Sequence, residues 1–334
     1  MRLFENQLAI GTSGLGQHPS HALDAKLREA SKHGFTGIEI VFGDLECYSQ
    51  LHKISMSAVA EQIRQLCDDL GLHVLSLCPF ENFEGSNFPI EERLQKAKRW
   101  MDLARILKAE HIQIPAQFDK MASNEESTIV SELQQLADLG TEAYPHVKLA
   151  YEPMGWSIRY TTWESVLHLT KLVNRVNFGI CLDSFHIATV LWGDPTVPSG
   201  KKPNADQNLS ESLHRLVNTL PLQNLFYVQL SDGEKFDPLY SKEHPWYLEG
   251  EDAQFTWSKH ARPFPLEKEL GGYMPVVEIV RGLVVDMGFK GWVSLETFDR
   301  RMKAEGFEVE DGGRRAERSI ENLQGILDGR YSHI

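Results

Sequence analysis

Cysteine is scarce in this sequence: four residues, Cys47, Cys67, Cys78 and Cys181, in a chain of 334. No Cys-x-x-Cys pair occurs, and Cys78 and Cys181 lie in apolar, strand-like runs, where a free thiol behaves as a small hydrophobe. Reduced, structural thiols are expected, and with them a cytoplasmic protein. Long apolar runs are also missing. No stretch approaches the roughly 20 residues of a membrane span, and Met1-Arg-Leu-Phe-Glu-Asn6 lacks the apolar core of a signal peptide. No membrane partner is expected. Positive charge is short, with 34 Lys and Arg against 47 Asp and Glu and a formal net charge of −13. That balance argues against nucleic acid as a partner, because phosphate binding needs a basic stripe. A dinucleotide fingerprint is absent as well: Gly11-Thr-Ser-Gly-Leu-Gly16 spaces its glycines as G-x-x-G-x-G rather than G-x-G-x-x-G.

What is present is an alternation of short apolar runs and amphipathic stretches. The runs are Leu8–Thr12, Gly37–Val41, His73–Leu77, His111–Ile114, Lys148–Glu152, Phe178–Asp183, Leu225–Leu230 and Trp292–Glu296. Between them, apolar residues recur at spacings of three and four: Ile63, Leu66 and Leu70; Leu94, Ala97, Met101, Ala104 and Leu107; Val166, Leu169, Leu172 and Val173; Ile320, Leu323 and Leu327. Strand–helix alternation implies parallel pairing, since each crossover needs the length of a helix. Eight such units predict a (β/α)8 TIM barrel as one domain spanning residues 1–334, with an open doubly wound sheet as the alternative. Two segments echo each other, His33-Gly-Phe-Thr-Gly-Ile-Glu39 and Met287-Gly-Phe-Lys-Gly-Trp-Val-Ser-Leu-Glu296. Each reads as a helix ended by glycine, then a second glycine before a buried strand.

Two connections are long. Ser231 to about Gly271, between the seventh and eighth runs, carries His244, Trp246, Tyr247, Phe255, Trp257, Lys259, His260, Arg262 and Phe264, and is predicted to be an ordered lid. Trp192–Asp206, after the sixth run, carries Pro195, Pro198, Gly200 and Pro203. Both leave from strand C-terminal ends, the catalytic face of such barrels.

Four polar residues close the last four runs: Glu152, Asp183, Gln229 and Glu296. In a parallel barrel these are neighbours around half of one rim. Three carboxylates and an amide offer oxygen donors, which suit Mg²⁺ or Mn²⁺, with Co²⁺ as a tolerated substitute. Asp183-Ser-Phe-His186 adds an imidazole three residues after a candidate ligand, as a general base or a substrate contact. Arg159, Lys259 and Arg262 are the candidate cations for a small anionic substrate.

These residues carry a resemblance. The strand-end set resembles that of the xylose isomerase-like barrels. Several segments resemble the fungal 3-dehydroshikimate dehydratases in particular: Phe178-Gly-Ile-Cys-Leu-Asp-Ser-Phe-His-Ile-Ala188, Ile112-Gln-Ile-Pro-Ala116, Phe226-Tyr-Val-Gln229, Gly291-Trp-Val-Ser-Leu-Glu296, Trp257-Ser-Lys259, Asp194-Pro-Thr-Val-Pro-Ser-Gly200 and Trp156-Ser-Ile-Arg159. The resemblance runs from Leu8 to about Met302. It implies a metal-dependent lyase that dehydrates 3-dehydroshikimate to protocatechuate through an enediolate, in quinate catabolism. Glu152, Asp183, Gln229 and Glu296 would bind the metal. His186, with Glu152 and Glu296, would be catalytic, while Gln113, Arg159, Lys259 and Arg262 would meet a carboxylated cyclic ketone. Met154 departs from the pattern, standing where some bacterial relatives carry a second histidine. An isomerase or epimerase of neutral sugars shares the enediolate chemistry and is the competing reading; a catalytically inert binding module is the third.

Overall fold

The computed structural model describes residues 3–330. Eight parallel strands close into a barrel in the order β1-β2-β3-β4-β5-β6-β7-β9. They are β1 (Leu8–Gly11), β2 (Gly37–Val41), β3 (His73–Cys78), β4 (His111–Pro115), β5 (Lys148–Glu152), β6 (Phe178–Asp183), β7 (Leu225–Leu230) and β9 (Trp292–Leu295). The short strands β8 (Ala261–Arg262) and β10 (Phe298–Asp299) pair antiparallel outside the barrel. All eight predicted runs are barrel strands. Their ends differ by a residue: β3 and β4 continue to Cys78 and Pro115, whereas β1 and β9 stop at Gly11 and Leu295, so that Glu296 follows its strand.

The helices are α1 (Leu23–Lys32), α2 (Phe42–His52), α3 (Met56–Leu70), α4 (Ile90–Leu107), α5 (Glu126–Thr141), α6 (Trp163–Val173), α7 (Ser184–Leu191), α8 (Ala205–Thr219), α9 (Ala253–His260), α10 (Val276–Val280) and α11 (Val309–Leu327). Each periodic stretch seen in the sequence lies on one of them: Ile63 on α3, Leu94 to Leu107 on α4, Val166 to Val173 on α6 and Ile320 to Leu327 on α11. The echoed joints are real αβ turns. Gly34 and Gly288 sit at φ of 78° and 70°, a left-handed conformation that costs glycine nothing sterically. No helix among the described residues is long and apolar enough to cross a membrane, and all four cysteines are free.

The period of two along a strand decides what enters the barrel lumen. Ala9, Leu75, Ala150, Cys181 and Tyr227 form a small core cluster of their own, apart from the large one between strands and helices. Two residues further along β5, β6 and β7, on the same face, come Glu152, Asp183 and Gln229. The lumen is therefore apolar below and acidic at the C-terminal end.

The connection after β7 is ordered by one buried carboxylate. Asp232 accepts from the backbone N–H groups of Gly233 (2.7 Å), Met274 (2.8 Å) and Leu266 (3.1 Å), which ties the segment's two ends together. Trp257 and Phe264 are fully buried within it. The Tyr240 N–H reaches the Pro195 carbonyl at 3.0 Å, joining this connection to the Pro-rich loop after β6.

Candidate active site

Each strand-end residue is held by its own strand. Glu152 is the last residue of β5, in register with Pro115 of β4, and Asp183, the last of β6, lies directly across from Gln229 of β7. Asp183 also caps α7, its Oδ1 accepting from the Phe185 N–H at 2.8 Å. The Glu296 N–H donates to the Leu230 carbonyl at 3.1 Å, which extends the β7–β9 ladder by one bond and keeps the side chain at the rim. All four side chains are buried.

A fifth member was not singled out from the sequence. Glu39, in β2, is buried in the lumen, and both of its oxygens accept from Gln229 Nε2 at 3.1 Å. The same nitrogen donates to Glu296 Oε1 at 3.1 Å, and Gln229 Oε1 accepts from Cys181 Sγ at 3.1 Å. The signal was available: a carboxylate in the middle of Gly-Ile-Glu-Ile-Val is as costly in a buried strand as one at its end.

Arg262 is the buried cation bonded to this cluster. Its Nη2 donates to Asp183 Oδ2 (2.5 Å), Glu296 Oε2 (3.0 Å) and the Glu296 carbonyl (3.2 Å). Nε and Nη1 donate to the hydroxyls of Ser231 and Ser258 at 3.1 and 3.3 Å. The guanidinium lies between the rings of Phe185 and Phe298, at 4.6 and 5.1 Å from their centres. The pairing of β8 with β10 puts Arg262 in register with Phe298. Arg262, one of the three candidate cations for a substrate carboxylate, is engaged with two of the candidate metal ligands.

Burial raises the proton affinity of every carboxylate here. Glu152 is pushed well above the ordinary range by burial, and then by the charges of Glu296 and Asp183. Burial lifts Glu296 to about 8 against the opposing pull of Arg262. Asp183 and Glu39 are raised, again chiefly by burial. Arg262 bonds two of these four buried carboxylates, and Glu152 Oε1 has no hydrogen-bond partner among the described residues. Uncompensated buried charge costs several kcal/mol per ion. A divalent cation among these oxygens removes that cost, so the donor set fits one. Ligand atoms of Glu152, Asp183 and His186 lie within 4.8 Å of one another and could together hold a metal ion.

His186 is fully buried at the start of α7, and burial, followed by the charge of Arg262, pushes its pKa well below the usual value. Its Nδ1 accepts from the Gly155 N–H at 3.0 Å. The neutral ring therefore carries its proton on Nε2, the atom facing Glu152 Oε1 (3.6 Å) and Asp183 Oδ2 (3.8 Å), and in this state it is a donor beside those carboxylates and not a metal ligand. Gln113 donates to Glu152 Oε2, and its own Oε1 is buried without a partner.

The remaining predicted cations have partners at the rim. Arg159 pairs with Glu126 at 2.5 Å and donates to the Asn124 carbonyl. Lys259, on α9, pairs with Glu251 at 2.6 Å and lies over the Phe255 ring. An aromatic wall rises beside His186: Trp156 packs on it at 4.7 Å, on Phe255 of α9 at 5.2 Å, and Phe255 on Phe118 at 5.6 Å.

The closed parallel barrel agrees with the family whose pattern matches residues 27–325, the xylose isomerase-like TIM barrels. The chain belongs to this family. It is 39% identical, over 320 residues, to the 3-dehydroshikimate dehydratase of Neurospora crassa; the match covers 91% of this chain and 89% of that relative. Among solved structures, a xylose isomerase-like TIM barrel/4-hydroxyphenylpyruvate dioxygenase fusion protein superposes with a TM-score of 0.74 at 24% identity. It covers 97% of this chain, which spans 44% of the fusion. The IOLI protein, solved with a bound zinc atom, gives a TM-score of 0.69 at 19% identity over 96% of this chain and 98% of its own.

Proposed function

We propose that the chain is a hydro-lyase converting 3-dehydroshikimate to protocatechuate and water, acting in the cytoplasm in quinate catabolism. The observation that carries this is the buried set Glu152, Asp183, Gln229 and Glu296 around one partnerless carboxylate oxygen, in a chain so similar to a dehydratase of that name. Those four residues would hold Mg²⁺ or Mn²⁺, with Co²⁺ tolerated. Such an ion would supply Lewis-acid stabilisation of negative charge developing on the substrate.

The chain's own residues do the rest. The proton leaves C4 for a carboxylate of the cluster. Glu152 is the candidate, because its Oε1 has no hydrogen-bond partner among the described residues. Removing that proton gives an enediolate. His186, neutral and with its proton on Nε2, donates to the developing oxyanion, as a buried neutral imidazole at a helix start is suited to do. The carboxylate returns the C4 proton to the C5 hydroxyl, which leaves as water, and transfer of a C6 proton to the C3 oxygen completes the aromatic ring. Trp156 and Phe255 would flank a flat six-membered ring and exclude water. The segment 231–271 acts as the lid. Gln113, through its open Oε1, would accept from a substrate hydroxyl. Arg159 and Lys259 would reach the substrate carboxylate by leaving Glu126 and Glu251.

One observation favours the competing isomerase or epimerase reading: Arg159, Lys259 and Arg262 each already have a carboxylate partner. The test is direct. Purified protein with Mg²⁺ or Mn²⁺ and 3-dehydroshikimate should produce the absorbance of a catechol. No product with any divalent metal, alongside turnover of a neutral ketose, would refute the dehydratase.

A further inference from the structure

Resting on the metal reading above, we infer that Glu39 is a positioning residue that makes Gln229 an oxygen donor to the cation. An amide side chain has two ends of opposite chemistry, and only the oxygen can serve a metal. Nothing in the shape of a glutamine decides which end faces where; the neighbours do.

The deciding neighbour is a carboxyl group whose two oxygens both accept from the amide nitrogen. Glu39 lies in the lumen on β2, 190 residues from Gln229, with both oxygens 3.1 Å from Gln229 Nε2. Turning the amide over would set its oxygen against both oxygens of the carboxylate at the same spacing. Glu296 Oε1, also 3.1 Å from Nε2, adds to the preference. With the nitrogen held there, Gln229 Oε1 is left on the side of β6. It accepts there from Cys181 Sγ at 3.1 Å, two residues before Asp183 on the same face of the strand. That bond uses one of the oxygen's two lone pairs. Glu39 therefore acts through Gln229, and a substrate on the rim would not touch it. Groups that orient a metal ligand from behind contribute about 10–100-fold to metal affinity.

The experiment is a Mn²⁺ titration of metal-free protein, following free Mn²⁺ by electron paramagnetic resonance, for wild type, E39Q, E39D, Q229A and E39Q/Q229A. E39Q keeps the shape but can offer an amide of either orientation, so the lock is lost. It should weaken Mn²⁺ binding about tenfold or more. E39D, which keeps the acceptor on a shorter arm, should fall between wild type and E39Q. The double variant should bind no more weakly than Q229A alone, because Glu39 has nothing left to orient. A merely structural Glu39 would instead lower the melting temperature of the metal-free protein and leave Mn²⁺ affinity unchanged; that result overturns the inference, as do losses that simply add in the double variant. A wild-type protein that takes up no Mn²⁺ overturns the metal reading itself, an outcome distinct from normal wild-type binding with an indifferent E39Q.

Discussion

Glu84 offers a quantitative test of how this fold treats buried charge away from the candidate metal site. It lies in the loop after β3, fully buried, with Oε1 accepting from the Tyr151 hydroxyl (2.6 Å) and the Gln117 N–H (2.8 Å) while Oε2 has no partner. Its carbonyl accepts from Gln117 Nε2 at 2.9 Å, so the residue clamps the β3 and β4 loops together behind the rim. Burial lifts its pKa from 4.5 to about 7, opposed by the Tyr151 bond. A carboxyl whose pKa is higher in the folded state keeps its proton there longer than in the unfolded chain. Stability linked to it is full below about pH 4.5 and is lost as pH rises to about 7. At about 1.4 kcal/mol per unit, wild type should lose about 2–3 kcal/mol through this group between about pH 5 and about pH 8. Glu84→Gln does not titrate, and its amide oxygen can still accept from Tyr151 and Gln117. Urea denaturation of both proteins across that range should give a difference between the curves that changes by about 2–3 kcal/mol, in favour of Glu84→Gln at the alkaline end. Parallel curves would refute the reasoning.

Two further predictions concern the rim. Chelating divalent metal should lower the melting temperature, since a ligand held at about 100 times its Kd contributes about 2.7 kcal/mol; an unchanged melt under chelator by scanning fluorimetry counts against the site. Arg262→Met leaves Asp183 and Glu296 without their cation and should cost the metal-free protein about 3–5 kcal/mol in chemical denaturation, the usual price of breaking a buried pair from one side. A loss below about 1 kcal/mol, the size typical of an exposed pair, would mean that these carboxylates are solvated.

Much of the architecture was legible because it is written in local periodicity. Gly37–Val41 or Phe178–Asp183 can be recognised as a buried strand from its own residues, and Leu94 to Leu107 as one face of a helix. The rim residues Glu152, Asp183, Gln229 and Glu296 were legible for the same reason: each is a polar group closing an apolar run, a cost visible without knowing its neighbours. Glu39 broke the same rule in mid-strand and was passed over. Its meaning comes from Gln229, which no local pattern connects to it. Arg262 shows the converse. Its presence among the lid aromatics is legible in the sequence, but its carboxylate partners are not.

The sequence by itself determined the barrel, the order of the four rim residues around it and the oxygen chemistry they offer, because spacing of two and of three to four residues translates directly into faces of strands and helices. Only the tertiary structure decided how those groups are paired. Closure of the barrel brings β2 across the lumen to β7, and the β8–β10 pairing lays Arg262 against Asp183 and Glu296. Hydrogen bonds and ion pairs act over about 3 Å in space, whatever the separation along the chain. Which carboxylate keeps an open oxygen, which end of Gln229 faces inward and which cation is already engaged are therefore properties of the folded barrel.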